Sequence, residues 1–224
     1  MRKGIYSVTA AALIGVGIWA YNRSTTRKQN PFRNLNYLSP DENTLLKAYL
    51  KEKGMTLAEV IVFPKGLPQF SNRYESQFRL DRDENGNEFV WNSTEQYMQY
   101  HKITYVDRDQ LSARERDSLL KLRRRIALAK DANAAVNITR ENVFSGKTLN
   151  DVLKPEWFSR ARKSVLLAAN KAKFSQNEAL LSLLLATGDK TIIAVSTNHR
   201  VHTWSIAKEK GQFGLNWAGE IIMQ

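Results

Sequence analysis

The chain predicts a mainly helical α+β single domain with a few short strands, preceded by an N-terminal hydrophobic helix. Three observations point there. Helices with explicit start and stop residues outnumber strands, the strand candidates run only three to five residues, and no internal repeat appears.

Taken in order, residues 4–21 carry no charge and follow Arg2-Lys3. As a helix they would extend about 27 Å at 1.5 Å per residue, near the lower limit for crossing a bilayer. Trp19 and Tyr21 would sit in the interfacial belt. The run is longer than a signal-peptide core, and Trp19-Ala20-Tyr21 is a poor cleavage site. Residues 1–22 are therefore expected to be an uncleaved transmembrane anchor, with a cleaved signal or an acid-free organellar signal as rivals. Four basic residues follow the span and two precede it, so the expectation is a single-pass membrane protein with its domain in the cytoplasm.

Residues 23–38 read as a basic linker. Residues 39–58 read as an accessory helix with full punctuation: Ser39 at N-cap, Pro40 at N1, Glu42 at N3 and Gly54 past the end. The main domain then covers 59–224. Val60-Ile61-Val62-Phe63 is a strand closed by Pro64. Phe78-Arg79-Leu80 and Phe89-Val90-Trp91 flank an Asn85-Gly86 turn and suggest a hairpin. A charged helix spans 109 to about 131, where Arg123-Arg124-Arg125 form a solvated face or contact phosphate. Residues 141–154 look like a loop, and 157–174 an amphipathic helix. Ser175 and Glu178 suggest a capping box opening an almost wholly apolar, buried helix over 179–186, which Gly188 ends. A strand at 191–195 and a closing segment at 217–223 complete the domain.

The net charge of +12 is unevenly spread. Residues 1–40 hold six basic residues and no acid, while the remainder carries 28 basic against all 22 acidic residues, a net +6. A cationic tail on a moderately basic body argues weakly for general DNA binding. No cysteine is present, and His101, His199 and His202 lack metal-ligand spacing. No metal site and no cofactor are expected, and nothing in the sequence specifies an oligomeric state.

The stretch from Trp91 to Lys102 concentrates chemistry. Ser93 with Gln96 reads as a capping box, and Glu95 falls at N2, where free N–H groups and the positive helix end favour a carboxylate. Lys102, seven positions on, lies near the same face. An acid and a cation beside Trp91 and Tyr97 suit a polar, planar, anionic ligand; an ordinary capped helix is the alternative.

These pieces, in this order, resemble the NADAR superfamily, the YbiA-like N-glycosidase domain, over about residues 60–224. Phe70-Ser71-Asn72 matches its opening Phe-Ser-Asn. Trp91, Glu95, Tyr97, Gln99 and Lys102 match its Trp-x-x-x-Glu-His-Tyr-x-Gln-x-x-Lys block. Ala172-Lys173-Phe174-Ser175-Gln176-Asn177 and Leu184-Leu185-Ala186-Thr187-Gly188-Asp189 match a third block, and Asn216, Gly219 and Met223 a closing one. The resemblance implies cleavage of an N-glycosidic bond in ADP-ribosylated guanine or in a phosphoribosylamino intermediate of riboflavin synthesis. The partner would thus be a nucleotide-sugar or an ADP-ribosylated nucleic acid. The transition state is oxocarbenium-like, and Glu95 is the carboxylate expected to stabilise it. Lys102 and Arg140 would contact phosphate, Trp91 and Trp204 would stack on base or ribose, and Asn72 and Asn216 complete the expected substrate-binding set.

Departures from the family pattern bear on turnover. Gln96 replaces the histidine after the glutamate, and Ala135-Val136-Asn137-Ile138-Thr139-Arg140 lacks the lysine and glycine of Ala-Lys-x-x-Gly-Arg. The aspartate of Asp-x-x-Trp-Gly aligns with Val201. His199 or His202 would then have to serve as acid/base, His202 being the catalytic candidate. The alternative is a catalytically impaired ADP-ribose or nucleotide-binding module tethered to a membrane.

Overall fold

The computed structural model describes residues 35–224, apart from 66, 83, 84, 142, 143, 145 and 202. The first helix, α1 (Pro40–Lys53), starts as the sequence predicts. The Ser39 hydroxyl accepts the Glu42 N–H, and the Glu42 carboxylate accepts the Ser39 N–H at 2.8 Å. Gly54 ends it at φ 64°, a left-handed turn that suits a residue without Cβ.

Two strands far apart in sequence form the centre. β1 (Val60–Phe63) pairs in parallel with β4 (Thr191–Ala194), Val60 opposite Thr191. Everything between them is one long crossover, and it carries most of the candidate site. Alternation along these strands divides the core. Val60, Val62, Ile193 and Val195 pack with Leu46 and Leu50 of α1. Ile61, Phe63, Ile192 and Ala194 face Phe70, Phe174, Leu180 and Ile222.

Within the crossover, β2 (Phe78–Arg82) and β3 (Glu88–Trp91) form the predicted hairpin, irregular near Asp81, whose φ is 63°. Five helices follow: α2 (Thr94–Lys102), α3 (Ala113–Ala127), α4 (Ala132–Ile138), α5 (Arg162–Gln176) and α6 (Glu178–Leu185). After β4 come the two-residue strands β5 (Lys208–Glu209) and β6 (Gln212–Phe213), then α7 (Trp217–Ile222).

Several expectations are corrected. The predicted helix at 109–131 begins later and ends earlier, because Ser112 and Glu115 form the capping box and residues Arg108–Gln110 make a separate 3-10 turn. Asp131 caps a further helix, α4, through the Ala134 N–H at 2.7 Å. Ser175 does not cap α6: it lies inside α5, with its hydroxyl on the Ala172 carbonyl. Of α6 itself only Leu180 is buried, and Leu185 is 58% exposed.

The expected membrane location is overturned as well. Among the described residues no helix is long and apolar enough to cross a membrane. The segment 1–22 that suggested a hydrophobic helix and membrane partner, and most of the 23–38 linker, lie outside the described residues.

Close approach of α7 to β4 depends on Gly219. A Cβ there would overlap the Ile192 carbonyl oxygen and come within 2.6 and 2.8 Å of the Asn216 amide atoms. Gly219→Ala is expected to cost about 1–3 kcal/mol through overpacking, read as a lower denaturant midpoint at unchanged slope. A midpoint equal to that of the unsubstituted protein would contradict this packing.

Candidate functional site

The site is organised around the start of α2. Ser93 accepts the Gln96 N–H at 3.2 Å, so the N-cap is where the sequence puts it. The reciprocal half differs. Gln96 is buried, and its Oε1 accepts the Asn92 N–H at 2.8 Å rather than that of Ser93. Its Nε2 lies 3.1 Å from each of the carbonyls of Ile126, Ala127 and Ala129. One side chain thus ties the first turn of α2 to the last turn of α3.

Glu95 donates its backbone N–H to the Asn72 carbonyl at 2.8 Å, so the Phe70-Ser71-Asn72 turn satisfies a free helix N–H. The Thr94 hydroxyl lies 3.0 Å from that carbonyl and 3.1 Å from Asn72 Oδ1, which also accepts from Asn170 at 3.3 Å. The Glu95 side chain is 9% exposed; its Oε1 accepts from Gln99 Nε2 at 2.7 Å, and Gln99 Oε1 accepts from the Thr139 hydroxyl at 3.2 Å.

Burial pushes the Glu95 carboxyl above its ordinary range. The Gln99 hydrogen bond and the positive charges of Arg73, Lys102 and Arg140 oppose that shift. Lys102 is pushed down to about 8 by burial, with Glu95 pulling the other way and Arg140 and Arg162 adding like-charge repulsion. One buried carboxylate therefore sits in a field of three cations. Such a field favours an anionic ligand.

Arg162 leads into α5, and its guanidinium lies 5.0 Å from the Trp204 ring and 5.1 Å from the Trp217 ring. The two indoles meet edge to face at 5.7 Å. Burial lowers Arg162 somewhat, and its Nε is buried with no hydrogen-bond partner among the described residues. Farther along α5, Lys173 is fully buried. Its Nζ donates to the carbonyls of Gln69 at 2.7 Å and Ser71 at 3.0 Å, and burial drives it to about 7. This ammonium holds the turn that presents Asn72.

Of the residues singled out from sequence, Asn72, Glu95, Lys102 and Arg140 come together, and Trp204 joins them through Arg162. Trp91 does not. It is fully buried, its indole N–H on the Leu80 carbonyl at 2.9 Å, so it packs the core and offers no face for stacking. Asn216 is also spent elsewhere: its amide bonds the backbone of Ile192 and Ala194 in β4. His199 is exposed in a 3-10 turn, and His202 lies outside the described residues. Sequence reasoning missed Arg73, Gln99, Thr139, Arg162, Asn170 and Lys173 as members of the constellation. Gln99 was within reach as the i+4 neighbour of Glu95, and the spacing of 162, 166, 170 and 173 marks one face of α5. Among the described residues no cluster of three or more metal-ligating side chains occurs.

Comparison with known proteins places the chain as a whole. The riboflavin biosynthesis protein PYRR, chloroplastic, of Zea mays is 32% identical over 142 residues, covering 63% of this chain and 20% of that protein. The chain thus spans about a fifth of the length of this curated relative. The NMR structure of the E. coli protein YbiA shares the fold, with a TM-score of 0.51 at 24% identity over 74% of this chain and 81% of that one. The model of the NADAR domain matches residues 64–224, well over half of the chain, and on that match the chain belongs to the NADAR family.

Proposed function

We propose that the chain is an N-glycosidase-like protein that hydrolyses the N-glycosidic bond of a ribosylated base, either ADP-ribosylated guanine or a phosphoribosylamino intermediate of riboflavin synthesis. The observation that carries this reading is Glu95, a nearly buried carboxylate flanked by Arg73, Lys102 and Arg140. Cleavage of such a bond develops positive charge at the anomeric carbon, which a carboxylate at that place stabilises while orienting water. Lys102 and Arg140 hold phosphate, Arg162 and Trp204 receive the base or a second phosphate, and Asn72 fixes the first turn of α2 beneath them. His202, two positions before Trp204, is assigned proton transfer to the leaving base.

A second reading, a module that binds ADP-ribose without turnover, is favoured by Val201 standing where the family pattern has aspartate. Incubating the full chain with ADP-ribosyl-guanosine and with a ribosylaminouracil phosphate, and weighing the released base by mass spectrometry, separates the two. Release that falls about 10²–10⁴-fold in Glu95→Gln supports the hydrolase. Calorimetric binding of ADP-ribose with no release supports the module.

The same substitution has a stability signature. Because Glu95 titrates higher in the folded chain than in the unfolded one, the folded state binds more protons in between. Its contribution is present below the ordinary value of 4.5 and is lost as pH rises through the raised value. Glu95→Gln keeps the acceptor for Gln99 and removes the buried charge, so its melting temperature at pH 7 is expected to match or exceed the original. That margin should shrink as the pH is lowered toward 4.5; a margin that grows on acidification would refute the assignment.

A further inference from the structure

A quarter turn round α2 from Glu95, Gln99 and Lys102, the helix presents Gln96 and Tyr100 toward α3. Here, at the junction of Ile103 with α3, lies a cavity of about 140 Å³. Arg108, Arg116 and Arg123 line it, together with Asp117. Ile103 and Leu119, each 3% exposed, give it an apolar floor, and Leu120, 64% exposed, forms part of its rim.

Two of the guanidinium groups are held in place. Arg123 lies 4.4 Å from the Tyr100 ring, and its Nε is buried with no hydrogen-bond partner among the described residues. Arg116 spends its Nε on the Leu111 carbonyl at 3.2 Å, leaving its terminal nitrogens unspent on that bond. None of the three arginines makes a salt bridge among the described residues, although Asp117 lines the same cavity. Arg125 on the same helix pairs with Glu141 through two bonds of 2.6 and 2.7 Å. Where a structural partner exists, α3 uses it; at the cavity its Arg116 and Arg123, with Arg108 from the preceding 3-10 turn, set three positive charges against one negative.

We infer that this cavity is an anion site, separate from the Glu95 site, which takes the dianionic head group of a phosphate monoester. Net positive charge of about two matches a phosphate monoester at neutral pH. Planar guanidinium forks suit its oxygens, and guanidinium groups already held lose little side-chain freedom on binding. Size restricts the ligand: the cavity is smaller than the roughly 300–1,000 Å³ clefts that enclose whole drug-sized molecules. The head group enters and the body lies outside, across Leu120. The head group would come from a free sugar or nucleoside phosphate, or from the 5′ end of a nucleic acid.

Calorimetry of the full chain tests this with inorganic phosphate, a nucleoside 5′-monophosphate, the uncharged nucleoside, and one oligonucleotide with and without a 5′-phosphate. Arg108 and Arg116 are exposed, so the Arg108→Ala/Arg116→Ala variant keeps the fold. Two phosphate sites are expected: the one at this cavity should weaken at least about tenfold in that variant and persist in Lys102→Ala, which affects only the phosphate held at the Glu95 site. The nucleoside should not bind at this site. A preference for the monophosphate or for the 5′-phosphorylated oligonucleotide identifies the source of the head group. The inference is overturned if phosphate gives no heat, if the double variant binds it unchanged, or if Lys102→Ala alone abolishes all phosphate binding. Oligonucleotide binding through Arg108 and Arg116 that ignores the 5′-phosphate overturns it too.

Discussion

A helix buried on nearly all sides yet rich in polar residues must have every one of those groups satisfied, and α2 sets that condition for the whole domain. Seven of its nine residues are buried, among them Thr94, Glu95, Gln96, Gln99 and Lys102. Leaving such groups unpaired would cost about 1–3 kcal/mol each, and more for a charge. The surrounding elements are arranged to prevent that. The Asn72 turn receives the helix start, the end of α3 receives Gln96, Thr139 after α4 receives Gln99, and Asn170 of α5 supports Asn72. An element moved from its place would strand a buried polar atom, so the hydrogen bonds select one packing where apolar contacts alone would tolerate several.

The same burial shifts the titration of the charged groups around α2. Desolvation works against charge on Glu95, Lys102, Arg162 and Lys173 alike, raising the acid and lowering the bases. Mutual attraction between Glu95 and the nearby cations repays only part of this cost. An anionic ligand arriving among Arg73, Lys102, Arg140 and Arg162 would supply the missing counter-charge. Lys173 belongs to the scaffold of this site, because its partners are backbone carbonyls and no acid pairs with it among the described residues.

Local signals in the sequence were read well and distant ones were not. Ser39, Ser93 and the Asn85-Gly86 turn act within a few residues, and their geometry follows the spacing. Gln96 keeps its helical place but bonds carbonyls some thirty positions away, which no i,i+3 pattern encodes. Ser175 and Glu178 satisfy a capping pattern, yet α5 continues through Ser175 because Phe174 is anchored in the core cluster with Phe70. The apolar run of α6 suggested full burial, whereas packing engages chiefly its Leu180 side. At the site, Glu95 and Lys102 were legible as an acid and a base on one face. Trp91 was misassigned because an aromatic beside charged residues looks the same whether it lines a pocket or fills a core. Arg162 was missed because its importance comes from Trp204 and Trp217, more than forty residues later.

Asn216 sits at φ 51° and turns its carboxamide along the outer side of β4. Its Oδ1 accepts the Ala194 N–H at 2.8 Å and its Nδ2 donates to the Ile192 carbonyl at 2.9 Å, as a neighbouring peptide group would. The Met223 sulfur meets the Ile192 N–H, and the Ile206 N–H meets the Ala194 carbonyl. A two-stranded sheet ordinarily leaves a row of open donors and acceptors on each flank, a template for unwanted pairing between molecules. Here a side chain takes the place of a third strand, so β4 presents a closed border and a concentrated solution of the folded protein has no ladder to extend from it.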